Sequence, residues 1–376
     1  MSVVRRQARL RWCLLAAGVA VICAVPVLIN ALPVAAGRTA DAARLRVLIL
    51  HSANMPYQGY AESDGALGVP QLHELSDVTA MLDGTTRMRV WQASASRWRV
   101  DALSDAGEHD TYQLPGQTFV WDSGSELLTE VAGTQTVRLP RAADLVPPAL
   151  ALRLLHDAGS AGRVTGIPAK RVAGIVAPGL RLVPSDPATT IGHIDVWADP
   201  GTGLPLQVEV TGLGGGQALM TSRFLQLSLG PPPRGVLTPE HGPGTGFSAS
   251  HAADIARAIG SLDDEQLPGA LAGRARVPPP AAYKEIGIYG SGLSRFAVIA
   301  IRGRTGLRDL RSSRNNGGTP LTLAKGFGVQ IATPLITVVL VHPYASFDTF
   351  LIAGLAKPQL LVRAASQLSL KPDRDL

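Results

Sequence analysis

The side chains able to do chemistry are scattered. The chain has 376 residues and 8 His. His51, His73, His109, His156, His193, His241, His251 and His342 each stand without a second His at the three- or four-residue spacing a helical metal site needs. Glu108-His109-Asp110 is a dense polar triplet, and between two strands such a triplet reads as a hairpin tip instead of an acid–base pair. Gly214-Gly215-Gly216 lacks the strand–helix frame of a phosphate loop and reads as a turn. No GxSxG elbow, HExxH, Walker loop or GxGxxG is present. Cys13 and Cys23 both lie in an apolar N-terminal run, so no disulfide, thiol nucleophile or cysteine metal site is expected beyond it. These features predict a non-enzymatic protein that uses no cofactor and no metal.

Charge excludes a further class. The net charge is +6, but Arg5, Arg6, Arg9 and Arg11 supply four of those charges with no acid in residues 1–36. The rest of the chain holds no dense basic stripe of the kind that neutralises phosphates, so no nucleic-acid partner is expected. From Trp12 to Ala36 the sequence is free of charge. Basic residues before an apolar run stay on the cytoplasmic side, which sends the remainder outward. Residues 1–36 are either a cleaved signal peptide, with Val34-Ala35-Ala36 as its small-residue site, or a retained membrane anchor. Either fate puts the protein at the outer face of the cytoplasmic membrane, and a retained segment would make it membrane-associated.

Most of the exported part reads as short strands. Asp41–Asn54 has the 3–4 spacing of an amphipathic helix, although Val47–Leu50 is also compatible with a strand. Leu75–Leu82 and Arg87–Gln92, around Asp83-Gly84, read as a hairpin. Further strands are predicted at 97–101, 118–121, 127–131, 136–139, 171–177, 180–183, 192–198, 204–210 and 223–229, with a helix at 149–156. Over 204–210, Leu206, Val208 and Val210 point one way and Gln207 and Glu209 the other, as in an antiparallel sheet with one face buried. Gly230–Gly246 holds five Gly and five Pro and reads as a linker. Beyond it come helices at 251–259, 307–314 and 358–370, a helical turn at 267–272, and strands at 284–289, 295–301, 319–323, 335–341 and 349–353. The tryptophans Trp91, Trp98, Trp121 and Trp197 fall on predicted strands, either filling a sheet core or lining a cavity.

Three stretches resemble the MucB/RseB family. Pro56-Tyr57-Gln58-Gly59 is similar to the segment that opens that family's first strand. Arg171-Val172-Ala173-Gly174, the turn Pro184-Ser185-Asp186, and the run Val196-Trp197-Ala198-Asp199-Pro200-Gly201-Thr202-Gly203-Leu204 resemble a second stretch. Tyr289-Gly290-Ser291-Gly292-Leu293-Ser294-Arg295-Phe296 resembles a motif of its C-terminal domain, with Ser291 where Asp is frequent. The matched positions are Tyr57, Gly59, Gly174, Asp199, Gly203, Tyr289, Gly292, Leu293 and Phe296. The excess of Arg over Lys is similar to an actinobacterial branch.

The resemblance implies a mostly β fold with helices. A LolA-like antiparallel half-barrel would occupy 38–229, a linker 230–250 and a smaller α+β domain 251–371. It implies an extracytoplasmic regulator that senses lipid or lipoprotein and acts on a membrane-bound anti-sigma factor. A LolA-like carrier of acylated cargo is the alternative. An acyl-chain ligand would lie on an apolar concave face, with Trp98, Val100, Val196, Leu206 and Val208 as lining candidates. Parity does not tell which face is concave, so Trp197 competes with them.

Overall fold

The computed structural model describes residues 41–68, 76–104, 107–131, 140–239, 245–250, 267–278, 286–301 and 303–370. The N-terminal run and the expected elements at 136–139 and 251–259 lie outside the described residues. Among those described, no helix is long and apolar enough to cross a membrane.

The chain opens on helix α1 (Ala42–His51). Asp41 caps it by accepting from the amides of Ala43 and Arg44 at 3.0 and 3.3 Å, which satisfies two donors that a helix start leaves free. Leu45 and Ile49, one turn apart, are its buried side chains. Strand β1 (Tyr57–Gly65) follows. Helix α2 (Ser76–Leu82) stands where a strand was expected. Val78, Met81 and Leu82 have the 3–4 spacing of a helix, and the Asp83-Gly84 bend leads out of that helix, not around a hairpin.

Strands β2 (Thr85–Ser94), β3 (Arg97–Ser104), β4 (Gly107–Leu114), β5 (Gln117–Asp122) and β6 (Leu127–Val131) then form an antiparallel meander. Helix α3 (Pro147–Asp157) begins with two prolines, where missing amides cost nothing, and buries Leu150, Ala151, Leu154 and Leu155. Strands β7 (Arg163–Val172), β8 (Ile175–Val183), β9 (Ile191–Ala198), β10 (Pro205–Gly212) and β11 (Met220–Leu229) complete the first unit. The single strand expected at 171–177 is instead a hairpin bend at Ala173-Gly174. These strands and β12 (Gly246–Ser250) make one open twelve-stranded sheet, ordered β12-β6-β5-β4-β3-β2-β1-β11-β10-β9-β8-β7. Only the β12–β6 pairing is parallel. β12 lies inside the span expected to be a linker, as does a 3₁₀ turn at Arg234–Leu237 whose Leu237 is buried. Pro and Gly content signals the absence of regular structure but not where a chain docks.

Strands β13 (Ala270–Leu271), β14 (Arg274–Val277), β15 (Ile286–Tyr289), β16 (Phe296–Ile301), β17 (Thr319–Leu323), β18 (Gly326–Ala332), β19 (Thr337–Pro343) and β20 (Thr349–Gly354) form a second sheet, ordered β13-β14-β15-β16-β20-β19-β18-β17. β13 replaces the expected helical turn at 267–272, and β18 was not anticipated. Helix α4 (Gly303–Asn315) puts Leu310 into a core with Ile299, Ile301, Val329 and Leu340. Helix α5 (Pro358–Ser369) puts Leu361, Ala364, Ala365 and Leu368 against Val298, Ala300, Val339 and Ile352 on the other face. The fold is therefore mostly β, with an open antiparallel-dominated sheet followed by a smaller α+β unit.

Candidate ligand face and its neighbouring charge cluster

Strand register decides which side chains share a face, because residues directly opposite each other point the same way. Val208 lies opposite Val196 on β9 and Ser222 on β11. Ser222 lies opposite Ser63 on β1, which lies opposite Thr86 on β2. Two and four residues on from Thr86, Met88 and Val90 keep that face, and Val90 faces Val100 while Gln92 faces Trp98. Trp98, Val100, Val196, Leu206 and Val208 thus stand on one side of the sheet. Val196, Leu206 and Val208 are fully buried in one apolar cluster with Leu150, Ala151, Leu154 and Leu155 of α3, and Trp98 packs at its edge. The Ser222 hydroxyl on the same face donates to the carbonyl of Leu145, just before α3. Helix α3 and the 3₁₀ turn Ala142–Leu145 therefore cover this side.

Trp197 stands on the opposite side, so it is not a partner of the other five. Its indole N–H donates to the carbonyl of Pro168 at 2.9 Å. Lys170 Nζ sits 3.7 Å from the ring centroid and 2.6 Å from Glu209 on β10. The β7–β8 hairpin thus reaches Trp197 and Glu209 from outside, and Gln207, also buried, donates to Glu209 at 2.7 Å. The side of Gln207 and Glu209 is therefore not left wet, and Lys170 reaches it from a hairpin distant in sequence.

The same outer side carries a charge cluster that the sequence reading missed. Glu108-His109-Asp110 is not a hairpin tip but part of β4, with Asp110 opposite Asp101 of β3 and Trp121 of β5. Arg99 bonds Asp101 at 2.5 Å and Asp110 at 2.8 Å, and Glu108 lies 4.0 Å away. The guanidinium also stacks over Tyr112 and Trp91, 4.7 and 5.2 Å from their centroids. Three carboxyls share one half-buried guanidinium. Burial, opposed by Arg99 and reinforced by the neighbouring acids, pushes the Asp101 carboxyl up to about 8 and Asp110 up to about 6. Asp101, Glu108 and Asp110 are close enough to hold a cation, but Arg99 already fills that role. The clue was present: Arg99 and Asp101 share one parity on β3, as Glu108 and Asp110 do on β4.

The family-motif positions divide between local packing and the junction of the two sheets. Tyr57 is buried edge-on against Phe224, and Gly59 is its neighbour on β1. Gly174 closes the β7–β8 turn. Asp199 caps the β9–β10 turn, accepting from the amides of Gly201 and Thr202 at 3.1 and 2.7 Å. Gly203 (φ 73°) lets that turn meet α1: a Cβ there would lie 2.5 Å from the Leu48 backbone. Tyr289 stacks on Phe296 at 5.4 Å. Gly290 and Gly292 both have positive φ, 78° and 72°, and a Cβ on Gly292 would press to 3.0 Å on the Asp157 carbonyl at the end of α3. Leu293 packs into the core of the first sheet. The Ser294 hydroxyl donates to Asp186, and Arg295 bonds Asp157 at 2.8 Å. Backbone bonds Thr190–Leu355 and Lys357–Ala188, at 3.1 and 2.8 Å, join the sheets beside them.

No protein-family model matches the chain, and no curated protein does. Among solved structures it is similar to the complex of MucA and MucB from Pseudomonas aeruginosa. The identity is 18%, with 87% of this chain and 97% of that one covered and a TM-score of 0.48. A crystal structure of MucB alone gives 16% identity over 87% and 97%, at 0.47. A LolA superfamily protein from Nitrosomonas europaea gives 11% over 51% of this chain and 96% of that one, at 0.24. At these scores the likeness is one of outline, and nothing about function follows from it.

Proposed function

We propose that the protein is an extracytoplasmic, non-enzymatic regulator that binds an acyl chain of a lipid or lipoprotein and modulates a membrane-bound anti-sigma factor. One observation carries this reading. Two of the segments that resemble the regulator family, Pro184-Ser185-Asp186 and Gly290–Arg295, meet where the sheets join, through Asp186 and Ser294. A carrier needs only the first sheet, whereas a regulator needs its ligand site linked to a second unit.

The apolar face bearing Trp98, Val100, Val196, Leu206 and Val208 is the binding surface in this reading. Each methylene that enters it contributes roughly 0.8 kcal/mol, so a long chain binds without polar chemistry. Val196, Leu206 and Val208 are packed in one cluster with the side chains of α3, so binding requires α3 to move. The C-terminal end of α3 also carries Asp157, which Arg295 holds. Acyl entry would thereby be felt at the junction.

The test is capture of the full chain by the extracytoplasmic segment of an anti-sigma factor encoded beside it, with and without an acylated lipopeptide. Capture that the lipopeptide weakens supports the reading. Capture indifferent to acylation, or none, overturns it.

A further inference from the structure

The second sheet has two ends. β19 and β20 meet the first sheet at Leu335 and Leu355–Lys357. Their other ends are joined by the turn 343–348, which therefore lies at the end remote from the junction. This turn exposes Phe347 at 91% and Tyr344 at 68%. Phe327 of β18, also exposed, lies 6.1 Å from the Tyr344 ring and 5.4 Å from His342. The turn is well formed: Tyr344 N–H donates to Lys325, and Asp348 N–H to Ser346 Oγ at 3.0 Å. Two large rings are thus held in water by an ordered backbone, and they fill no core.

The charges around them have one sign. Asp348 is buried, and the exposed charged residue of the two tip loops is Lys325. Helix α4 starts at the same end, since Ile301 pairs with Thr349 and Gly306 lies against Thr349. Its exposed face carries Arg304, Arg308, Arg311 and Arg314, spaced three or four residues apart; the first two lie nearest the tip, while the helix runs on toward Gly318, against Val329 and Ile331, and carries the other two away from it. Its acid, Asp309, is turned inward and buried.

Aromatic rings with adjacent cationic side chains suit the headgroup layer of an anionic bilayer, where rings sit at the interface and basic residues meet lipid phosphates. The Arg-flanked apolar run of residues 12–36 brings such a surface close in the sequence reading. The geometry points to the tip formed by Phe327, Tyr344 and Phe347, flanked by Lys325 and by Arg304 and Arg308 at the start of α4, as a docking surface for an anionic lipid bilayer. This tip is separate from the apolar face of the first sheet, and neither site depends on the other.

The test uses the full chain with Cys13→Ser and Cys23→Ser and a single environment-sensitive fluorophore on Phe347→Cys. A control carries it on Ser96→Cys, an exposed position in the β2–β3 turn. Position 347 makes no packing contribution at its exposure, so folding is not at stake. With phosphatidylglycerol vesicles, the 347 label shifts to the blue and is quenched by bromine-labelled acyl chains at least twofold more than the 96 label. Arg304→Gln with Arg308→Gln, or pure phosphatidylcholine, reduces that quenching by at least half. Equal quenching at the two positions overturns the proposal, as does quenching indifferent to both lipid charge and the Arg variants. A blue shift that needs no vesicles and grows with protein concentration assigns the tip to a second copy of the chain and overturns it as well.

Discussion

Asp101→Asn should remove most of the pH dependence of the first sheet's stability. In the wild type the Asp101 carboxyl sits near 8 in the fold against an ordinary value near 4 unfolded. The folded state then holds a proton that the unfolded state has released. Stability is full below the unfolded value and falls as pH rises toward the folded one. One pKa unit corresponds to about 1.4 kcal/mol. Between pH 5 and pH 8 a single such proton removes roughly 3–4 kcal/mol, an upper figure because Asp101 and Asp110 share the burden. Asparagine mimics the protonated acid in shape and keeps an oxygen for Arg99. The variant should therefore be the more stable at pH 8 and nearly level with wild type at pH 5. Urea unfolding read by tryptophan fluorescence suits the case, because Trp91 lies against Arg99 in the cluster. A wild-type midpoint that stays flat or rises from pH 5 to pH 8, or an unchanged slope in the variant, would refute the reasoning.

Other outcomes follow from the packing. Gly292→Val should cost more than about 2 kcal/mol, since its positive φ is strained for valine and its Cβ meets the Asp157 carbonyl. A melting curve identical to wild type would contradict that. Ser294→Ala should loosen the junction without unfolding either sheet, giving faster proteolytic separation of the two halves; unchanged cleavage would show that Asp186 gains nothing from the bond. Val208→Glu buries a charge among α3 side chains and should cost about 3 kcal/mol or more, whereas the same change at the exposed Leu229 should cost less than about 0.5 kcal/mol by chemical denaturation.

Local signals were legible in the sequence where neighbours along the chain decide the outcome. The apolar 3–4 pattern of Ala42, Leu45, Leu48 and Ile49 gave α1, Pro147-Pro148 marked the start of α3, and alternation put Leu206 and Val208 on one face. Signals failed where distant segments decide. Val172 and Ile175 both suit a strand, and only the reversal at Ala173-Gly174 separates β7 from β8. Glu209 looked solvent-facing because nothing local announces Lys170, which reaches it from another hairpin. The Glu108–Asp110 triplet looked like a tip because acids are rare in buried strands, and the Arg99 that makes them tolerable is on another strand. The junction was legible only as two separate motifs, and their meeting is a property of the fold.

In the proposed function, the side of the first sheet bearing Val208 takes an acyl chain. A photoactivatable fatty acid, crosslinked to the full chain and mapped by mass spectrometry, tests it most directly. Crosslinks concentrated in the β3 and β10 peptides at Trp98, Val100, Leu206 or Val208, and lost on competition with unlabelled lipid, are the expected result. Crosslinks confined to Lys170, Trp197 and the outer side, or none that unlabelled lipid displaces, would contradict the claim.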